Sequence, residues 1–279
     1  MQKIEFELET VTPVFCSGAN KNSAELRPAS FKGLFRYWYR AALAEVDAKK
    51  LHQSENKIFG STEEAAKFAV RLKDINQINN NRKNKIRKCP VPHKGNFKIP
   101  AIEKGIKFKL ILTAKNQKLN ERKKIFYLAL LLGGVGQRSR RGFGSVKIND
   151  KDFTSNSKKS FLLGIAEILK EMNFLETQIK NDQLIVKENQ EYSYPVIREI
   201  IIGKKDKPEV LLKRIGQATH DCRDRALGNG NPRMSSPVYI TINKIANSYY
   251  PIITRLEAVY PYRVNNQVGK INKFIEKLR

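Results

Sequence analysis

The segment from Gly133 to Val146 reads GGVGQRSRRGFGSV, and it joins a predicted helix over residues 121–132 to a short predicted strand that ends near Ile148. Residues 3–12 alternate apolar and polar side chains with the period of two that is typical of a half-buried strand. Between these segments the pattern predicts a helix from Phe31 to about residue 47 and a strand over 107–113. The order strand, helix, strand, helix, strand favours a ferredoxin-like unit.

Beyond this unit the chain is again mixed α and β. The polar stretch 149–157 predicts a boundary, with one domain over 1–149 and a second over 150–279. The elements predicted for the second domain are helices over 161–172, 208–218 and from about 268, and strands over 195–202, 238–242 and 250–256.

The charge is strongly positive and uneven. The 279 residues hold 53 basic and 27 acidic side chains, a net charge of +26. Residues 1–149 hold 31 basic and 12 acidic side chains, against 22 and 15 in residues 150–279. Such an excess predicts a polyanionic partner, with nucleic acid first and membrane lipid second. A general RNA-packaging or ribosome-associated protein would also account for the charge.

Two features predict a soluble, cytoplasmic protein without a structural metal. No apolar run approaches the ~18 residues of a membrane-spanning helix, and the strand pattern at Lys3 leaves no signal peptide. The cysteines, Cys16, Cys89 and Cys222, lack the paired spacing of a zinc site. His220 and Cys222 supply at most two ligands from one loop.

The glycine loop, Gly133 to Gly144, matches neither common phosphate-binding motif. No lysine follows a glycine as in a P-loop, and the loop runs from helix to strand, opposite to a dinucleotide fingerprint. We therefore predict no nucleotide cofactor. A glycine backbone with several arginines and no nearby acid suits a phosphodiester chain, and an ordinary turn with solvated arginines is the alternative. The polar side chains of the loop are Gln137, Arg138, Ser139, Arg140 and Arg141. Phe143 is predicted to belong to the core.

The first helix carries a basic stripe. Ser30 is the predicted N-cap, and Leu34 and Trp38 are predicted core residues. Lys32, Arg36 and Arg40 recur every four residues and so share one face. Further on, residues 76–98 are rich in asparagine and basic side chains and predict a mobile loop. Its run from Arg82 to Lys88 is either solvated or an arm that orders on RNA.

Three motifs together resemble one family. The stretch from Leu26 to Ala41, LRPASFKGLFRYWYRA, is similar to the first-helix motif of RAMP proteins, the repeat-associated family of CRISPR systems. Within that family it is most similar to the first subunits of type III-B, or Cmr, effector complexes. The glycine loop is the second hallmark, and residues 231–238, NPRMSSPV, resemble an Arg-x-x-Ser-Pro segment of that group. Met234 departs from the pattern, where a second arginine is expected.

The resemblance implies an α+β protein of two ferredoxin-like (RAMP or RRM-like) domains in tandem. It also implies a non-catalytic subunit that binds CRISPR guide or target RNA, single-stranded, near the 3′ end of the guide, together with other Cmr subunits in antiviral defence. The RNA-binding residues that it indicates are Arg27, Ser30, Lys32, Gly33, Arg36, Arg40, Gln137, Arg138, Ser139, Arg140, Arg141 and Arg233.

A metal-independent CRISPR-RNA processing ribonuclease is the alternative function, because some relatives use a histidine as general base. The chain has three histidines, His52, His93 and His220. His220 adjoins Asp221 as an orienting acid and Arg223 as a phosphate-binding cation. No histidine is tied by spacing to the glycine loop, which favours the binding function.

Overall fold

A computed structural model describes residues 1–19, 22–74, 86–90, 98–115, 119, 122–149, 155–171, 176–187, 190–257 and 259–279. This part of the chain forms six α-helices and thirteen strands. The helices are α1 (Pro28–Leu43), α2 (Ala48–Phe59), α3 (Lys123–Leu132), α4 (Lys158–Glu171), α5 (Pro208–Asp221) and α6 (Gln267–Glu276). The strands are β1 (Gln2–Thr10), β2 (Ala69–Lys73), β3 (Ile86–Pro90), β4 (Lys98–Ile102), β5 (Lys107–Ala114), β6 (Val146–Ile148), β7 (Thr177–Lys180), β8 (Gln183–Val186), β9 (Ile197–Ile202), β10 (Asn229–Gly230), β11 (Arg233–Met234), β12 (Val238–Ile245) and β13 (Ser248–Leu256).

The first sheet has the strand order β2-β5-β1-β6, and every pair is antiparallel. The elements β1, α1, β2, β5, α3 and β6 follow one another as βαββαβ, with α2 and the β3-β4 hairpin inserted. The predicted alternation in β1 is confirmed, because Ile4, Phe6 and Leu8 are buried among α1 and α3. The first half is therefore a ferredoxin-like unit.

The start of α1 differs from the prediction. The helix begins at Pro28, after Arg27 as N-cap, so Ser30 lies in the first turn and does not cap it. Proline suits this position because its missing N–H would have no helical partner there and its φ is already helical. The Ser30 hydroxyl instead lies 3.2 Å from the Cys16 sulfur. The helix ends at Leu43 rather than near residue 47.

The prediction of a loop over residues 76–98 is wrong for Ile86–Pro90, because this segment is a strand that pairs with Lys98–Ile102 in a hairpin. Residues 75–85 and 91–97 lie outside the described residues, as does most of the run from Arg82 to Lys88. Helix α2 was also not predicted, although Asp47 caps it by accepting the Lys49 and Lys50 amides at 2.8 and 3.3 Å.

The second sheet has the strand order β12-β13-β9-β8-β7 and is antiparallel throughout. The run β9, α5, β12, β13, α6 matches the first five elements of a ferredoxin-like unit. The place of the fourth strand, beside β9, is taken by β8, which comes earlier in the chain. The second half is thus a circularly permuted ferredoxin-like unit, and the predicted α+β fold of two such units in tandem is confirmed.

The two halves share a core. One face of the second sheet packs against α5 and α6, and residues of its other face pack with α3 and α4 in one cluster. A sheet covered on both faces explains why β12 is buried at every position except Lys244. Trp38 is fully buried and meets Tyr239 of β12 at a ring distance of 5.2 Å, and Phe143 is 4% exposed. Both were predicted as core residues, and both predictions are confirmed.

Candidate nucleic-acid interface

One face of α1 carries Ser30, Gly33 and Tyr37, of which Ser30 and Tyr37 are half-buried. Gly33 is exposed, and a Cβ added there would meet no atom within 4 Å. Packing within the described chain therefore does not require a glycine at this position, although glycine in a helix costs roughly 0.5–1 kcal/mol relative to alanine. The glycine leaves the α1 backbone open to close approach from outside. Arg27 precedes this face and lies 3.9 Å from the Glu25 carboxylate.

The predicted basic stripe is partly neutralised by Glu55 of α2. Arg36 Nε and Arg40 Nη1 donate to the same Glu55 oxygen, Oε1, at 2.5 and 2.8 Å. The Glu55 residue is only 4% exposed, whereas both arginines remain partly exposed. The pair of arginines thus docks α2 on α1 while keeping part of each guanidinium at the surface.

A polar groove of about 490 Å³ separates α1 from the end of α2. Lys32, Arg36, His52, Asn56 and Ser61 contribute polar side chains to it. Partial burial, and then the charge of Arg36, lower the pKa of Lys32. Cations concentrated in this way, beside uncharged donors, suit a phosphate group.

The glycine loop is held in place rather than free. Gln137 N donates to Phe15 O at 2.7 Å, and Gly142 N donates to Ile240 O at 2.9 Å. Gly136 has φ +88°, and a Cβ there would lie 2.4 Å from Phe15 O. The glycines therefore allow the loop to pack closely between the two halves.

Arg140 joins the three motifs. Its Nη2 donates to the Tyr37 hydroxyl at 3.2 Å, and its Nη1 donates to the backbone oxygen of Ser236 at 2.9 Å. The guanidinium also lies 5.1 and 5.0 Å from the ring centroids of Tyr37 and Tyr239, which gives it two cation–π contacts. First helix, glycine loop and the 231–238 segment therefore meet at one side chain.

Arg141 is directed into the second half. Its guanidinium donates to the backbone oxygens of Arg140, Val238 and Leu227 and lies over the Phe274 ring. Burial, and then the charge of Arg140, lower the pKa of Arg141 to about 10. Arg141 is half-buried, and these contacts tie the loop to the second sheet; its predicted contact with RNA stays a prediction.

The outward part of the loop is Gln137 and Arg138. Gln137 is exposed, and the Arg138 guanidinium forms no hydrogen bond or ion pair with another residue of the described ranges. Partial burial lowers the pKa of Arg138. Ser139 instead faces inward, with its hydroxyl 2.7 Å from the Tyr239 hydroxyl.

The third motif lines a groove of about 460 Å³ beside Arg140. Arg233 is exposed at this groove, and Ser236 and Pro237 line it from within. Met234, where an arginine was expected, accepts a hydrogen bond from the Tyr262 hydroxyl at 3.5 Å. Tyr37 of α1 and Tyr194 belong to the same groove, which the sequence pattern did not indicate.

The open face of the first sheet differs from that of RNA-binding RRM sheets. In the described part of the sheet it carries no aromatic side chain, and its central strand presents Glu5, Glu7 and Glu9. Lys109 bridges Glu5 and Glu7 at 2.8 and 3.4 Å. The described part of this face thus lacks the aromatic platform that RRM sheets use for base stacking, and we take the helix-and-loop side as the candidate interface.

The first half of the chain matches a known protein family. Residues 7–147, about half of the chain, match the model of the RAMP superfamily. The chain belongs to the RAMP superfamily. This RAMP protein is 26% identical over 183 residues to the Cmr subunit Cmr1-2 of Pyrococcus furiosus, a match that covers 53% of the chain and 96% of that subunit.

Two solved structures share the fold of this RAMP protein over nearly its whole length. Cmr1 from Pyrococcus furiosus in its apo form superposes with a TM-score of 0.68 at 20% identity, covering 100% of this chain and 97% of that one. A chain of the type III-B Cmr-beta complex bound to cognate target RNA and AMPPnP superposes with a TM-score of 0.59 at 14% identity, covering 98% of each chain.

The histidines of the RAMP protein do not form the predicted catalytic pair. His220 is exposed, and its Nδ1 lies 3.9 Å from Asp221 Oδ1, beyond hydrogen-bond distance. Asp221 is instead engaged by Lys277 at 2.7 Å and Gln217 at 2.6 Å. His52 lines the polar groove beside Arg36, and His93 lies outside the described residues.

The described part of the RAMP protein shows neither a cluster of metal-ligating side chains nor a membrane-spanning helix. Within the described ranges, no three His, Cys, Asp or Glu side chains lie close enough to hold a metal ion. No helix in the same ranges is long and apolar enough to cross a bilayer.

Proposed function

We propose that this RAMP protein is a non-catalytic RNA-binding subunit of a type III-B CRISPR (Cmr) effector complex that acts in antiviral defence in the cytoplasm. It binds guide or target RNA, single-stranded, near the 3′ end of the guide and contacts other Cmr subunits. Two domains, 1–149 and 150–279, carry the function. The contact of Arg140 with both Tyr37 and Ser236 carries the proposal, because it joins three distant motifs at one surface.

The RNA path follows the helix-and-loop side of the first half. It begins at Arg27, Ser30 and Gly33 on α1, where the helix backbone is open. It continues past Gln137 and Arg138 of the glycine loop and ends at Arg233. Lys32, Arg36 and Arg40 border the path on the other side and supply phosphate contacts. Such contacts are sequence-independent and salt-dependent.

Arg141 and Ser139 contribute to RNA binding indirectly, by holding the glycine loop in position. Arg141 has all its described donors on backbone oxygens, and Ser139 faces Tyr239. They fix the position of Arg138 and Arg140 instead of contacting phosphate themselves. The names of the similar proteins support membership of a Cmr complex, since one is a Cmr subunit and another is part of a Cmr-beta complex bound to target RNA.

The experiment is a gel with purified protein and labelled CRISPR-repeat RNA or an unrelated single strand, in EDTA and in magnesium. We expect retardation of both RNAs without cleavage. The separation of His220 from Asp221 supports this expectation, since a general base needs an orienting partner and a proton within hydrogen-bond reach.

Site-specific cleavage that persists in EDTA would instead identify a processing ribonuclease. Loss of that cleavage in His220→Ala would assign the base to His220, and loss in His52→Ala would assign it to the polar groove. If the protein neither retards nor cleaves either RNA in low salt, the proposal that it binds RNA is overturned.

A further inference from the structure

The groove beside Arg140 is unusually apolar for so basic a chain. Its walls include Tyr194, Pro195, Pro237, Leu256 and Val259, and its volume is about 460 Å³. That volume lies within the range of small-molecule sites, which are typically apolar with a few fixed polar groups. The same lining holds Arg140, Arg233 and three serines, so polar groups stand beside apolar walls on which a flat aromatic ring would bury apolar surface.

One side of the groove presents a rigid cationic plane. Arg140 is held by two hydrogen bonds, and its guanidinium lies over the rings of both Tyr37 and Tyr239. Guanidinium planes and tyrosine rings are surfaces on which unpaired RNA bases stack. Tyr194 is also fixed, because its hydroxyl donates to Glu45 O at 2.5 Å.

The same groove also has an acidic residue, Glu257, in its lining, and the Glu257 side chain is 33% exposed. Arg198 Nε donates to Glu257 Oε2 at 2.5 Å. The Glu257 amide donates to Val196 O at 2.6 Å, so the backbone is fixed as well. In the described ranges, Oε1 receives no hydrogen bond, so it can accept one from a ligand.

We propose that this groove holds one unstacked base of single-stranded RNA and selects a base with an exocyclic amino group over uracil. The inference rests on the proposed function and adds a base-reading pocket to it. The ring stacks in the apolar groove, its amino group donates to Glu257, and Arg233 at the rim holds an adjacent phosphate. Uracil presents a carbonyl oxygen where cytosine presents its N4 amino group, so uracil would face the carboxylate without a hydrogen bond.

The test compares labelled 12-nucleotide oligocytidine and oligouridine, since these pyrimidines have the same size. For the full-length protein we expect about fivefold tighter binding of oligocytidine, the worth of roughly one hydrogen bond. In Glu257→Gln the amide oxygen keeps the contact with Arg198, which turns the amide donor toward the base. The preference should then fall to about onefold or reverse. Glu167→Gln, at an exposed glutamate of α4 that does not line the groove, is the control and should keep the preference.

A second pair of variants tests occupancy of the groove. Val259→Glu should weaken oligocytidine binding about tenfold because it places a charge in the groove wall. Val46→Glu introduces the same charge at a side chain of matched exposure, 52% against 51%, away from the groove lining. It should have a smaller effect.

Equal binding of the two oligonucleotides by the wild-type protein, or an unchanged preference in Glu257→Gln, would overturn the base-reading pocket while leaving RNA binding intact. Equal losses in Val259→Glu and Val46→Glu would likewise exclude a base from the groove and favour a protein segment as its occupant. If neither oligonucleotide binds in low salt, the proposed function itself fails.

Discussion

A Cβ atom added at Gly133 would lie 2.3 Å from Nε1 of Trp38. The indole nitrogen is buried without a hydrogen-bond partner in the described structure, and its ring packs on Tyr239. Gly133 therefore makes room for the tryptophan at the junction of the two halves.

Gly133→Ala should destabilise the protein by about 1–3 kcal/mol, because the tryptophan has to move in a closely packed core. Urea unfolding measures the change. Gly33→Ala is the matched control, since it adds a methyl group in open space on a helix and should stabilise by roughly 0.5–1 kcal/mol. Equal stability of the two variants would contradict the proposed contact.

Replacing Arg138 should affect RNA binding, whereas replacing Arg141 should affect the stability of the fold. Arg138→Ala should lower RNA affinity and reduce the slope of log K against log salt by roughly 0.7, the value for one single-strand phosphate contact, with little change in Tm. Arg141→Ala should lower the free energy of unfolding by about 1–3 kcal/mol, because it removes donors from the Val238 and Leu227 oxygens. An unchanged salt slope in Arg138→Ala would remove that residue from the RNA path.

Replacement of Glu55 should loosen α2. Glu55→Ala leaves Arg36 and Arg40 without their shared acceptor, and we expect a loss of about 1–3 kcal/mol in the free energy of unfolding. Hydrogen exchange should increase in Ala48–Phe59 in particular. Glu63→Ala is the exposed control and should change neither quantity.

Acid should weaken the ion pairs of β1. Hydrogen bonds from Lys109 and then Lys3 lower the pKa of Glu5 from 4.5 to about 2. A lowered pKa in the folded state means that the stabilisation is complete above about pH 4.5 and is lost as the pH falls toward 2. Because the pair lies at the surface, we expect less than about 1 kcal/mol. The difference in Tm between wild type and Glu5→Gln should therefore be present at pH 6 and vanish near pH 2.

The fold was predictable where one short pattern determines an element. The alternation in β1 and the buried Trp38 follow from local periodicity, so both were confirmed. The β3-β4 hairpin was missed because the basic, asparagine-rich stretch around β3 shows no apolar period. The start of α1 at Pro28 was misplaced because Ser30, two residues later, is also a residue type that caps helices. The permuted second unit depends on pairing between β8 and β9, which local patterns do not specify.

The candidate site was predictable by residue type but not by contact. The sequence singles out the loop arginines by their density, but it does not reveal that Arg141 reaches backbone oxygens 86 and 97 positions away. The sequence also gives no sign that Glu55 accepts hydrogen bonds from Arg36 and Arg40, which lie 19 and 15 positions before it. Tyr194 and Glu257 belong to no recognisable sequence motif, and only the tertiary structure brings them to the groove.

The partners of the glycine loop also determine when the protein can mature during synthesis. Residues up to Ile148 complete the first sheet, but Leu227, Ser236 and Val238, which receive the loop arginines, leave the ribosome much later. Until then the α3 residues that pack into the shared core lack their partners from the second half. A nascent or truncated chain ending near residue 149 should therefore need chaperone protection, and the proposed RNA surface should form only after the second half has been synthesised.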